Sequence, residues 1–238
     1  MAVNKEKKGK FMKIMFLPDT RNNNLYQTNL SNSLSKQGAK IYFDEGKVIK
    51  SIMKYRPDVI HIHWPNYFMI TNSKLGTAIK STFFISFLLS LKLFNTKIIW
   101  TVHNIAGHEG KFRSDEILFS KFLANICDKL IVHCPSAKTE VKNIYDKDES
   151  SIVVIPHGNY IDHYKNIITS SEARNKLCFN KEDTVFLYFG QIRSYKGVPE
   201  LIDIFKTLNR KSAKLLIVGK PFDDDIATNI LDNCKDDE

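Results

Sequence analysis

Phe189-Gly190-Gln191-Ile192-Arg193-Ser194-Tyr195-Lys196-Gly197-Val198-Pro199-Glu200-Leu201-Ile202 is the stretch whose reading decides the fold. The run before it, Thr184-Val185-Phe186-Leu187-Tyr188-Phe189, is short, β-branched and aromatic, which predicts a buried strand. After it, Leu201, Ile202, Phe205 and Leu208 recur at helical spacing. Pro199 suits a first helical turn, where the N–H it lacks would be an orphan in any case. The order is strand, glycine, short loop carrying Arg193 and Lys196, then helix start. Open α/β sheets bind ligands at such carboxyl-end loops. A helix N-terminus with two cations suits a phosphate, and a planar guanidinium beside an ammonium suits a diphosphate. Taken alone, the same loop also fits a simple strand turn with solvated cations.

Working outward, a second strand at residues 214–219 follows the helix and completes a βαβ unit. Upstream, strands are predicted at 12–17, 39–43, 58–63, 97–102, 130–133 and 152–155. Helices are predicted at 26–36, 48–53, 79–94, 115–127 and 136–145. This alternation predicts a parallel sheet wound on both faces. The link to the second half is read at 156–169, followed by a short helix at 171–177 capped by Ser170 or Ser171. Two units follow, 1–160 and 161–238, the second with only two clear strands. Asp223-Asp224-Asp225 reads as an acidic helix start.

The first loop, Asp19-Thr20-Arg21-Asn22-Asn23-Asn24, is polar and has no glycine. Residues 22–27 read as surface loop or as a sugar-acceptor contact. His61 and His63 share one strand face, but no Cys or carboxylate stands near them in sequence to complete a metal site, so no metal ligand is assigned. The strand at 97–102 delivers His103 and Asn104 at its carboxyl end, and Gly107-His108-Glu109-Gly110 reads as a flexible loop.

Composition narrows the function classes. Lys and Arg outnumber Asp and Glu by 23 to 13 over residues 1–160 and stand at 12 against 13 over 161–238. The basic excess of the first part suits an anionic membrane surface. The aromatics sit inside apolar runs rather than on stacking platforms, so no nucleic-acid partner is predicted. The apolar run at 82–91 is shorter than the ~20 residues of a spanning helix. It reads as a core helix or, alternatively, as a membrane-touching one. The polar, lysine-rich start shows no apolar signal segment. Four cysteines at 127, 134, 178 and 234 form no C-x-x-C pair and read as free thiols. The expected location is cytoplasmic, peripheral at the inner face of the membrane.

The stretch from Phe189 to Ile202 resembles the strand–loop–helix that opens the donor domain of family 4 retaining glycosyltransferases. Ile155-Pro156-His157-Gly158-Asn159 resembles the segment leading into that domain, and Thr101-Val102-His103-Asn104 and His61-Ile62-His63-Trp64-Pro65 resemble N-domain motifs of the same family. The resemblance implies a GT-B fold, two Rossmann-like domains facing across a cleft, with residues 1–160 on the acceptor side and 161–238 as an incomplete donor domain. It implies transfer of a sugar from a nucleotide-diphosphate sugar to a glycan or lipid-linked acceptor, with retention and with neither metal nor other cofactor. Gly190, Arg193, Lys196 and Gly197 would hold the donor diphosphate. His103 would be the catalytic residue, facing the donor sugar or the acceptor hydroxyl, with Asn104 beside it. His157 would position the linker. The family's later segment, with two glutamates around a glycine turn, has no match after Val218, so the chain reads as truncated within the donor domain. Two alternatives stay open: an incomplete homologue acting as a binding or partner subunit, and an epimerase of the same architecture.

Overall fold

The computed structural model describes residues 11–22, 24–106, 113–161 and 163–234. The loop read at 107–110 and residues 235–238 lie outside the described residues. The chain divides into two compact units, Met1–Tyr160 and Ile161–Glu238.

In the first unit, β1 (Lys13–Leu17), α1 (Leu25–Lys36), β2 (Lys40–Phe43), α2 (Val48–Tyr55), β3 (Val59–Ile62), α3 (Asn66–Met69) and α4 (Lys74–Lys92) lead to β4 (Lys97–Thr101). Then come α5 (Arg113–Ile126), β5 (Lys129–Val132), α6 (Pro135–Tyr145) and β6 (Ile152–Val154). The six strands form one sheet in the order β2-β1-β3-β4-β5-β6, and every pairing is parallel. The order reverses between β1 and β3, which makes the carboxyl ends of those strands the natural crevice of the sheet. Strands covered on both faces are apolar throughout rather than alternating. Accordingly all four residues of β3 are buried, and Met15, Phe16 and Leu17 of β1 are fully so. The core gathers Met15, Ile60, Ile98, Trp100, Leu123 and Leu130 around the sheet.

Local chemistry sets the helix ends. Asn24 caps α1 by accepting from Tyr26 N at 2.9 Å, and Ser73 caps α4 by accepting from Gly76 N at 3.1 Å. That cap starts α4 five residues before the expected 79. Of its two faces, Thr77, Ser81, Phe84, Leu88 and Leu91 are buried, whereas Ile79 and Phe83 are exposed. The core-helix reading therefore accounts for one face only. Among the described residues α4 is the single helix long and apolar enough to cross a membrane by length and composition. The first loop is pinned, not free: Gln27 is fully buried, accepts from Thr20 N at 2.7 Å and donates to the Pro18 carbonyl at 2.8 Å.

In the second unit, α7 (Ser170–Lys176), β7 (Thr184–Phe189), α8 (Val198–Thr207), β8 (Ala213–Val218) and α9 (Asp224–Cys234) follow in order. The cap of α7 is Thr169, not Ser170 or Ser171. Glu172 lies three residues on and returns the hydrogen bond, forming a capping box. β7 and β8 pair in parallel over six residues. The expectation of a buried β7 is corrected. α8 and α9 pack on the face carrying Tyr188, Leu215 and Ile217, and Leu187 and Phe189 on the other face are 61% and 80% exposed. Asp223 caps the α9 start, its carboxylate accepting from Ile226 N at 2.9 Å, as the acidic run predicted. All four cysteines are free.

Candidate functional site

Each of four successive strands in the first unit is followed by a histidine within three residues: His63 after β3, His103 after β4, His133 after β5 and His157 after β6. Parallel neighbours place these exits side by side, so the four rings form a row. Ring centroids lie 5.6 Å apart for His63–His103, 5.3 Å for His103–His133 and 5.2 Å for His133–His157. Tyr26, on the first turn of α1, lies against His103 at 5.1 Å and against His157 at 4.7 Å. Trp64 stacks on His103 at 4.6 Å with the planes 7° apart.

Each ring is oriented by specific bonds. His63 Nδ1 is 3.3 Å from His103 Nε2. His61, buried beneath, has Nε2 2.8 Å from the Thr101 hydroxyl. His133 Nδ1 donates to the Ile155 carbonyl at 2.9 Å, and His157 Nδ1 to the Gly158 carbonyl at 2.6 Å. Tyr145, on α6, donates to the Ile105 carbonyl at 2.7 Å and so anchors the loop beyond His103. Asn104 is exposed beside it. Among the described residues, no group of three or more His, Cys, Asp or Glu is arranged to hold a metal ion.

Burial decides the charge of His61, His63 and His103. Removing an imidazolium from water disfavours it, and burial followed by the neighbouring histidines pushes His103 down to about 4 and His61 to about 3. Burial likewise takes His63 well below the ordinary value. His61, His63 and His103 are therefore neutral at pH 7, hydrogen-bonding rings rather than cations.

A stability prediction follows. Unfolded, each histidine titrates near 6.5; folded, His103 titrates near 4 and His61 near 3. Between those values the unfolded chain binds more protons, so stability rises with pH. It is fully present above pH 6.5 and is lost as pH falls through 4. Carboxylates held low, such as Asp19 by its hydrogen bond from Arg21 and Glu172 by its bonds from Thr169, start from unfolded values of 3.8 and 4.5 and leave the window above them to the histidines. Urea denaturation should show a midpoint falling steadily from pH 7 to pH 4.5. A flat midpoint would mean that His61, His63 and His103 titrate as in free peptide.

In the second unit, Gly190 leaves β7 at φ 145° and Gly197 opens α8 at φ 64°, both values that favour glycine. The ladder continues past the strands: Ile192 N donates to the Lys220 carbonyl at 3.0 Å and Phe222 N to the Ile192 carbonyl at 2.9 Å. A methyl group on Gly219 would overlap the Gly190 carbonyl oxygen, so the two strand exits touch backbone to backbone. Lys196 places its ammonium over Gly190, 3.7 Å from where a Cβ there would lie. Arg193 stacks on Phe222 with its guanidinium carbon 4.1 Å from the ring centre, and its Nε lies 3.4 Å from Gln191 Oε1. Gln191, Arg193, Lys220, Pro221 and Phe222 line a cleft of about 250 Å³. The loop thus brings Gly190 to Lys196, and Arg193 to Lys220, at the carboxyl end of β7 and the start of α8.

The sequence reading misses His133, Gly219 and Lys220, includes Tyr26 only within the 22–27 stretch offered as an acceptor contact, and confines His157 to the linker, whereas His157 packs against Tyr26 and His133. A signal was present for the histidines, because one follows each of β3 to β6. Nothing in sequence spacing signals Tyr26, which reaches the row from another element.

Comparison with known proteins bears on the family and the fold. The model of Glycosyltransferase Family 4 matches residues 21–162, and that of Glycosyl transferases group 1 matches residues 169–234. Two GDP-mannose:glycolipid 4-beta-D-mannosyltransferases of Xanthomonas campestris pv. campestris are 29% and 28% identical over 216 residues, 91% of this chain and 56% of theirs. The chain thus spans a little over half the length of these curated relatives. Among solved structures, HepE of Anabaena in complex with UDP and glucose superposes with a TM-score of 0.63 at 15% identity, covering 94% of this chain and 66% of that one. A glycosyltransferase of Rickettsia africae gives 0.58 at 15% identity, covering 96% and 65%. With one unit built on a six-stranded parallel sheet, a second on a small parallel sheet, and a family match over more than half its residues, this chain belongs to glycosyltransferase family 4 and has the GT-B class of α/β fold.

Proposed function

We propose that this chain binds a nucleotide-diphosphate sugar on its second unit and takes part in transferring the sugar to a glycan or lipid-linked acceptor that meets the first. The observation that carries the reading is the strand-end loop from Gly190 to Gly197. There, backbone glycines, Arg193, Lys196 and a helix start converge at the carboxyl end of β7. Charge grows on the departing diphosphate during transfer, and fixed donors aimed at it stabilise the transition state. Arg193, Lys196 and the α8 amides fill that role without a resident cofactor. His103, with Asn104 beside it, is assigned to the reacting sugar or acceptor hydroxyl.

The mannosyltransferase relatives support GDP-mannose as a first donor to try, and UDP-glucose is the second. Incubating the chain with each donor and a membrane glycolipid extract should release nucleoside diphosphate and lengthen a glycolipid by one hexose, read by mass spectrometry. Diphosphate binding without release or transfer would favour the partner-subunit reading. The family resemblance supports retention. The β product in the relatives' name, made from an α-linked donor, would be inversion. The proton–carbon coupling at the new anomeric centre decides between them.

We also place the first unit at an anionic membrane surface. Lys47, Lys50 and Lys80 rim a groove of about 480 Å³ floored by Val48, Ile49, Phe68, Phe83, Phe84 and Phe87, between α2 and α4. Apolar side chains framed by lysines suit acyl chains under phosphate headgroups. Co-sedimentation with vesicles should rise with phosphatidylglycerol content and fall with salt, and Lys47→Glu/Lys50→Glu/Lys80→Glu should remove most of it. Equal binding to neutral and anionic vesicles would contradict the electrostatic part.

A further inference from the structure

His63 is buried, with 1% of its surface exposed. It has one side-chain hydrogen bond, Nδ1 to His103 Nε2 at 3.3 Å, and its Nε2 is buried without a partner. Two neutral imidazoles sharing one bond can place the proton in two ways. If His103 donates, His63 carries its own proton on Nε2, leaving a buried N–H with no acceptor. If His63 donates, the orphan on Nε2 is only a lone pair. Among buried backbone groups, orphaned N–H donors are rarer than under-satisfied acceptors, and the same preference favours the second placement.

Two strands along, a neutral His133 has the second arrangement. His133 Nδ1 faces the Ile155 carbonyl, which can only accept, so a neutral His133 carries its proton there. Its Nε2, also buried without a partner, is then a lone pair.

We propose that His63 is a positioning residue: its Nδ1–H donates to His103 Nε2 and holds His103 in the Nδ1–H tautomer, so that His103 offers a ligand oxygen a neutral N–H donor rather than a basic lone pair. Which nitrogen of a histidine carries the proton is set by the bond the other makes. His103 Nδ1 has no hydrogen-bond partner among the described residues. Among the described residues the groups facing His103 are His63, Trp64, His133 and Tyr26, with His157 near enough to act on its charge, and none of them is a carboxylate that would favour the imidazolium. Burial supports the same neutral state. The oxygen it suits is that of a phosphate or a sugar hydroxyl. This inference rests on the proposed role of His103 for its meaning but not for its test.

Long-range proton–nitrogen spectra of the whole chain labelled with 15N-histidine, without nucleotide sugar, read the tautomer directly at pH 7. The His103 signals are identified by their loss in His103→Asn. The expected result is a protonated Nδ1 and an unprotonated Nε2 in the wild type. In His63→Phe, which keeps the ring stacked on Phe16 at 5.2 Å but removes the donor, His103 should move to the Nε2–H tautomer that free imidazoles prefer. A wild-type His103 protonated on Nε2 would overturn the proposal, as would a His63→Phe spectrum with His103 unchanged. The wild-type spectrum decides by itself if the variant fails to fold. Because no turnover enters the measurement, a failed tautomer and a failed glycosyltransferase reading remain distinguishable.

Discussion

His103→Ala is expected to lower the transfer rate about 100- to 1,000-fold with a much smaller change in KM, the loss seen when one preorganised donor is removed from a developing charge. The ring that is lost sits between His63 and His133, stacked on Trp64, at the carboxyl end of β4. Its small size relative to the core and its position at the strand exit make a cavity cost to the fold secondary. A rate loss with an unchanged urea midpoint at pH 7 would therefore report on chemistry. The companion variant separates two roles. His103→Asn keeps an N–H donor but has no titrating base, so it should recover part of the rate if the ring acts as a donor. Equal loss in both variants would assign the ring to proton abstraction instead. Full activity in His103→Ala would remove it from the site.

Most of the architecture was legible in the sequence because parallel strands buried on both faces read as continuous apolar runs. Met15-Phe16-Leu17 and Val59-Ile60 are such runs, and they became β1 and β3. Strand-to-loop exits were legible for the same reason, which is why His103 and Gly190 were placed at the ends of β4 and β7. What escaped depended on packing. The β7 run is as apolar as the others, yet burial is decided by what covers a strand, and Leu187 and Phe189 stand exposed. Tyr26 joins the histidine row only because α1 follows the strand at the switch point of the sheet. Gly219 looks like any strand-end glycine until the Gly190 carbonyl is seen against it. The α7 cap was misplaced because three hydroxyl residues adjoin, and only the Glu172 reciprocal bond selects Thr169.

Arg193 is held by Phe222 and lies 3.4 Å from Gln191 on one wall of a cleft it shares with Lys220. Stacking presets a guanidinium and lowers the entropy lost when it grips a ligand. A hydrogen bond to a charged group contributes about 1.5–3 kcal/mol, so Arg193→Ala should weaken nucleoside diphosphate binding roughly 10- to 100-fold. Arg193→Lys should restore only part, since the planar fork is gone. Neither change removes a side chain of that unit's buried apolar cluster, Ile192, Val198 and Ile202, so the fold should persist.

Calorimetric titration of GDP and of UDP into the wild-type chain and into Arg193→Ala tests the central claim most directly. The account predicts saturable binding of at least one diphosphate by the wild type, weakened 10- to 100-fold in the variant. No binding of either by the wild type, or equal affinity in a folded Arg193→Ala protein, would contradict it.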